Sequence, residues 1–222
     1  MRFVIEAFDW LTDPQKLTGS GGWLARLGEH LLISLLVVLI AAAIALPLGW
    51  YIGHTGRGRT VAVAVSGALR ALPTLGVLTL VAFWVGIGLG APLVALVLLA
   101  IPPLLAGAYS GIDATDPSAV DGARAVGMTE MQILTRVELP LSTPLLVAGF
   151  RSATLQVIST ATLAAYVGAG GLGGYLFLGL KTSDYAVMVA GSLLVVVVAI
   201  GVDVLFGILQ RFIRPATEGP QS

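Results

Sequence analysis

Five apolar runs, each long enough to cross a bilayer, dominate this chain and leave it few folds to choose from. A hydrocarbon core of about 30 Å takes roughly 20 residues of helix at 1.5 Å rise each. Leu31 to Ile52, Val61 to Val85, Pro92 to Tyr109, Leu141 to Leu163 and Tyr185 to Leu209 all approach or exceed that length. A membrane barrel would show short alternating segments instead of solid runs, so strands are not expected. Of the 222 residues, 57% are hydrophobic and 11% charged, where a soluble domain runs nearer one quarter charged. The predicted fold is therefore an all-α integral membrane protein with about five transmembrane helices. Its expected parts are an extracytoplasmic N-terminal segment (1–30), a five-span membrane domain (31–211) and a cytoplasmic tail (212–222).

Net charge is zero, which argues against a nucleic-acid partner held on a basic surface. The absence of cysteine excludes disulfides, thiolate metal sites and cysteine nucleophiles. Met1 to Asp13 carries Glu6, Asp9 and Asp13 and lacks a basic-then-apolar signal pattern, so the first span is expected to act as its own uncleaved signal. Arg57, Arg59, Arg124, Arg136, Arg211 and Arg214 fall on one side of the five spans, and Arg2, Lys16, Arg26 and Lys181 on the other. The bias puts the N-terminus outside and the C-terminus in the cytoplasm. Ahead of the first span, Phe3, Ala7, Trp10 and Leu11 recur at helical spacing, which suits either a helix on the lipid surface or one packed on the protein.

Between the third and fourth runs lies the one long polar insertion of the membrane region, 113–140. Asp116-Pro117 reads as an N-cap followed by proline at the first helical position. Ser118 and Asp121 have capping-box spacing, and Gly127 suits a left-handed helix end. Thr129 and Gln132 form a second capping box, opening a helix expected to run to about Val137 and to end at Leu139-Pro140. The insertion is thus predicted to be helix, glycine corner, helix. Val120, Ala123 and Val126 share a face of the first arm, and Met128, Met131 and Leu134 a face of the second. These faces could fill a partner's groove or pack on the chain's own spans.

The pattern Asp121-Gly122-Ala123, Gly127, Val137, Leu139-Pro140 resembles the EAA motif of ABC importer permeases. Asp121 and Gly122 stand where that family prefers Glu and Ala, and Val137 replaces Ile. The resemblance implies that Asp121, Gly122, Ala123, Gly127, Met128, Met131, Leu134, Val137, Leu139 and Pro140 form a coupling elbow that docks into a cytoplasmic ATPase. Ala123 to Leu180, with Arg70-Ala71-Leu72-Pro73 and Tyr109-Ser110-Gly111-Ile112, is similar to permeases for glycine betaine, carnitine and choline. Methionine importers share the elbow and the GAGGLG element. The likeness implies a subunit of the cell membrane of a prokaryote, paired with a second permease, the same or related. An extracytoplasmic binding protein would deliver the solute. ATP and Mg would belong to the ATPase, and this chain would hydrolyse nothing and bind no cofactor. A permease for methionine or another amino-acid-like solute, an ion-coupled carrier and a membrane scaffold are the rival readings. A carrier would be expected to show inverted repeats and mid-membrane acids, where only Asp203 stands here.

Arg70, Arg151 and Asp203 lie inside the apolar runs, where an ionisable group is costly unless paired, snorkelling or hydrated. Each is a candidate for gating or for packing, and matching depth suggests an Arg151–Asp203 ion pair. Gly168, Gly170, Gly171 and Gly173 belong to a glycine-rich loop with no nucleotide-loop context. Irregular backbone at that depth should pack against a partner subunit or line the pathway. Pro47, Pro73, Pro102 and Pro103 are expected to bend their spans. His54 is expected in a solvated loop beside Arg57 and Arg59, and His30 near the outer surface. The two do not make a metal site. Trp84, Tyr166, Tyr175 and Phe177 are aromatics of the outer face, without an assigned substrate role.

Overall fold

The structure is a computed structural model that describes residues 2–19 and 21–213. Arg214 and the rest of the predicted tail beyond Ile213 lie outside them. The described residues form helices and short connections, without strands. In chain order the helices are α1 (Arg2–Thr12), α2 (Pro14–Leu17), α3 (Trp23–Thr55), α4 (Arg59–Ala71), α5 (Thr74–Val85), α6 (Gly90–Asp113) and α7 (Pro117–Ala125). Then follow α8 (Glu130–Ile133), a π-helical turn (Leu134–Glu138), α9 (Leu139–Thr160), a 3-10 segment (Ala161–Val167), α10 (Gly173–Thr182) and α11 (Tyr185–Ile213).

α6 is the centre of the bundle, with α3 on one side and α9 on the other. Lipid tails are as apolar as leucine, so membrane helices associate chiefly where small residues let backbones approach. That is the pattern here. A Cβ on Gly49 would fall 2.5 Å from the Ala108 Cβ, and one on Gly53 would fall 2.7 Å from the Ile112 Cβ. Across the other face of α6, a Cβ on Gly107 would meet the Gly149 Cα at 2.8 Å, and Gly111 backs onto Ser142. Val37, Ala41, Ala45, Leu96, Ala100, Leu104, Ala153 and Val157 fill the space between these three helices. Their far sides carry exposed Leu35, Leu39, Val94 and Leu145, as surfaces bathed in lipid should.

α11 leans on α9 and α10, and α1 on α11. The N-terminal helix packs on the protein along one face and leaves Val4, Ile5 and Phe8 exposed on another. Ala7 is fully buried, Phe3 meets Tyr185 at 5.4 Å, and Trp10 meets Tyr175 edge-on at 5.0 Å. At 33 residues, α3 rises about 50 Å, so its ends stand clear of a 30 Å core.

Two spans differ from the expectation. The run Val61 to Val85 is not one helix: α4 and α5 meet at 87°. Pro73 offers no N–H and drives Leu72 into extended backbone, φ −69° and ψ 130°. Arg70 consequently sits in the last turn of a separate helix, exposed, rather than a third of the way into a span. Pro47, Pro102 and Pro103, by contrast, lie inside helices that run on through them. Nor does Leu139-Pro140 end the second arm of the elbow. α8 continues through the π turn into α9, so elbow and span are one rod. Pro140 would clash with the carbonyl four residues back in regular α-helix. The wider turn ahead of it, with Leu139 N–H bonded to the Leu134 carbonyl, absorbs the misfit.

Candidate functional site: the elbow and the end of α3

The elbow is built by its punctuation. Asp116 caps α7 by accepting the Ser118 N–H at 2.8 Å, and that donor holds its carboxyl below the usual range. The Ser118–Asp121 box does not form. With Asp116 as the cap, Ser118 is already inside the helix, and Asp121 turns to Arg124 at 3.4 Å. α7 ends in a Schellman motif: Gly127 N–H bonds to the Arg124 carbonyl and Met128 N–H to the Ala123 carbonyl. Gly127 takes φ +84°, a conformation that suits glycine. α8 opens with the Thr129–Gln132 capping box, both bonds present.

The arms are then fastened together. Arg124 grips Glu130 with Nε at 3.0 Å and Nη2 at 3.1 Å, which raises the arginine pKa further. The expected apolar faces are only partly right. Ala123 turns inward with Ile133, while Val126 is 79% exposed and Met131 68%. Met128, Leu134 and Val137 are half-buried, and Asp121, Gly122 and Pro140 exposed. Val126 is thus the apolar side chain exposed at the corner, while Met131 borders the groove toward α3.

His54, expected in a solvated loop, lies in the last turn of α3 with its side chain 14% exposed. Its Nδ1 is 2.6 Å from Oε2 of Glu138, whose side chain is 7% exposed, and its Nε2 is 3.3 Å from Glu130. One signal was there to be read. Glu138 is a lone acid beside Leu139-Pro140, at the entry to an apolar run, and a buried carboxylate needs a partner. Beside the histidine, a groove of about 480 Å³ separates Trp50 and Tyr51 of α3 from Met131 and Leu134 of the elbow.

Away from the elbow, Arg151 Nε and Nη2 bind Asp203 at 2.7 and 2.8 Å, and Nη1 reaches Gln210 at 2.9 Å. The expected pair therefore ties α9 to α11. Arg70 and Pro73 stand apart from it, Arg70 lining a small cavity with Ser66 and Tyr109. The glycine-rich loop packs in part on its own chain. Gly171 N–H donates to Glu29 Oε2 at 2.9 Å, and a Cβ on Gly170 would fall 2.5 Å from the same oxygen. Gly173 lies against the Thr162 carbonyl, and Gly168 ends the 3-10 segment. His30 is not at the surface. It is fully buried, its Nε2–H donating to the Ile158 carbonyl at 2.9 Å. Tyr175 is buried and donates to the Gly21 carbonyl, Tyr166 and Phe177 pair at 5.6 Å, and Trp84 is 88% exposed. Among the described residues no cluster of three metal-ligating side chains occurs.

The family described as binding-protein-dependent transport system inner membrane component matches residues 45–218. The choline transport system permease protein OpuBB of Bacillus subtilis (strain 168) is 32% identical over 90% of this chain and 92% of its own length. The glycine betaine/carnitine/choline transport system permease protein OpuCB of the same strain is 32% identical over 89% and 91%. An inward-facing MetNI methionine ABC transporter structure superposes with a TM-score of 0.74 at 25% identity. It covers 84% of this chain and 94% of that one.

Proposed function

The chain belongs to the family of binding-protein-dependent transport system inner membrane components, and from that membership we propose how its elbow and bundle work. It is a permease subunit of an ATP-driven importer. The solute we assign is a compatible solute of the glycine betaine, choline or carnitine class, which are the solutes in the names of its relatives. A second permease subunit, the same or related, completes the path, because five spans enclose too little space alone. Two ATPases carrying ATP and Mg dock on the two elbows, and a binding protein delivers the solute to the opposite face. Arg57, Arg59, Arg124, Arg136 and Arg211 put the elbow end in the cytoplasm.

One observation carries the mechanism: the two arms of the elbow are capped and cross-braced, with Val126 exposed at the corner and Met131 exposed on the second arm. Apolar side chains on a rigid projection suit a groove in a partner. Because the second arm continues into α9, movement of the corner is movement of a span. Closure of the ATPases draws the elbows together, and the bundles rock to open the far side.

The test is co-purification of the ATPase with the tagged wild-type chain and with Gly127→Pro, followed by uptake of radiolabelled glycine betaine, choline and carnitine. Proline fixes φ near −65° and cannot follow the +84° turn. The ATPase should accompany the wild type and be lost, or hydrolyse without transport, in the variant. Absence of any ATPase from the wild-type complex sinks the importer reading.

A further inference from the structure

The second arm reaches α3 through a side-chain contact that the coupling elbow does not need for its own shape. Glu138 is buried on the π turn, and among the described residues His54 is the group that hydrogen-bonds it. The same imidazole faces Glu130, which Arg124 holds to the first arm. One ring on α3 therefore touches the second arm at two points and reaches the first through the Glu130–Arg124 pair.

Its surroundings set this contact apart from ordinary core packing. The groove lined by Trp50, Tyr51, Met131 and Leu134 lies beside it, so apolar packing does not close the space between α3 and the elbow. The indole N–H of Trp50, on the same stretch of α3, is buried with no hydrogen-bond acceptor among the described residues. On the other side of the helix the reverse holds. Gly53, the neighbour of His54, lets α3 lie directly on Ile112 and the Tyr109 carbonyl of α6. At this level α3 packs directly on α6, and polar atoms join the end of α3 to the elbow.

We propose that His54 is a positioning residue for coupling, a latch that fastens the elbow to the α3–α6 pair through Glu138 and Glu130. The proposal rests on the elbow being the ATPase contact. Without the latch, movement of the elbow reaches α3 only by way of α9 and its packing on α6. With it, the end of α3 is also tied to the elbow directly.

The experiment uses the assembled transporter in proteoliposomes, reading ATP hydrolysis and solute uptake in the same preparation. In His54→Ala the ATPase stays bound and hydrolysis persists within about two-fold, while uptake per ATP falls about ten-fold, the scale of a typical coupling between sites. His54→Ala strands a buried carboxylate and can fail to assemble, so His54→Ala/Glu138→Gln is made beside it. The double variant has no stranded charge and is expected to assemble and remain uncoupled. His54→Lys, whose ammonium can reach Glu138, is expected to recover coupling. The latch is overturned if the double variant regains the wild-type ratio, since His54 then only neutralises Glu138. It is equally overturned if hydrolysis and uptake fall in parallel in every variant, or if the ratio never moves. Loss of ATPase from the wild type itself is a different result, and it removes the reading beneath the latch.

Discussion

Each end of α3 carries a histidine and answers a glutamate, yet the two ends are held by different kinds of partner. At the glycine-loop end, Glu29 accepts the backbone N–H of Gly171 and His30 donates to the backbone carbonyl of Ile158. At the elbow end, His54 meets the side chains of Glu138 and Glu130. Backbone groups of packed segments cannot leave without the segment unfolding. Side chains can swing, exchange partners and return. The glycine-loop end is thus suited to being a fixed hinge and the elbow end to being a moving joint, consistent with a subunit driven from one side. Hinge elements concentrate change at a few residues and leave the packed bodies intact.

The strongest attempt to break this contrast is Gly171→Val. Gly171 has φ +79°, and its Cβ would fall 3.2 Å from Nδ1 of His30. Backbone strain alone costs about 1–3 kcal/mol, and displacing a buried ring adds to it. The purified complex should lose thermal stability, with uptake and hydrolysis falling together. An unchanged melting temperature would show that the loop is not part of the fixed end. Glu29→Ala is milder. It takes the acceptor from the Gly171 N–H, and because water reaches the site the loss is near the low end, about 1 kcal/mol. The melting temperature should drop while uptake per ATP stays at the wild-type value. That is the reverse of the pattern expected for His54→Ala, and a changed ratio in Glu29→Ala would erase the distinction between the ends.

How much of this was legible in the sequence follows from how local each cause is. The caps at Asp116, Thr129 and Gly127 act over a few residues, and they stand where the sequence puts them. The Arg151–Asp203 pair could be read because depth in the membrane is itself a coordinate shared by distant spans. A bend was expected at Pro73 as at Pro47 and Pro103, and which of them breaks its span could not be read. Pro47 and Pro103 look the same locally, but α3 and α6 are braced by packed neighbours along their length. α4 and α5 bury little more than Ala62 and Leu78, so nothing holds them straight through the proline. His54 and Glu138 were hidden for a related reason. The end of α3 looked like loop, and only the continuous rod from α8 into α9 brings Glu138 beside it. The contact of Glu29 with the glycine loop was likewise not legible, because nothing local reveals that Glu29 lies over it.

The smallest effect tests whether the elbow end can loosen by itself. Asp116 is exposed, and its carboxyl is held below the usual range chiefly by the Ser118 N–H. A group with a depressed folded pKa contributes stability that is fully present above its unfolded value, about pH 4. That stability is lost as pH falls through the folded value, because the protonated acid is a poorer acceptor. Protection of the amides in the first turn of α7 should therefore decline below about pH 4, when corrected for intrinsic exchange, while the amides of α6 keep theirs. Local opening of this kind is expected where few apolar contacts hold the backbone. Asp116→Asn caps as well as Asp but does not titrate, so it should keep the first turn protected across the same range. If the decline persists in Asp116→Asn, the cap is not its cause. If α6 loses protection in step with α7, the elbow does not open by itself, and the two ends of α3 belong to one cooperative unit.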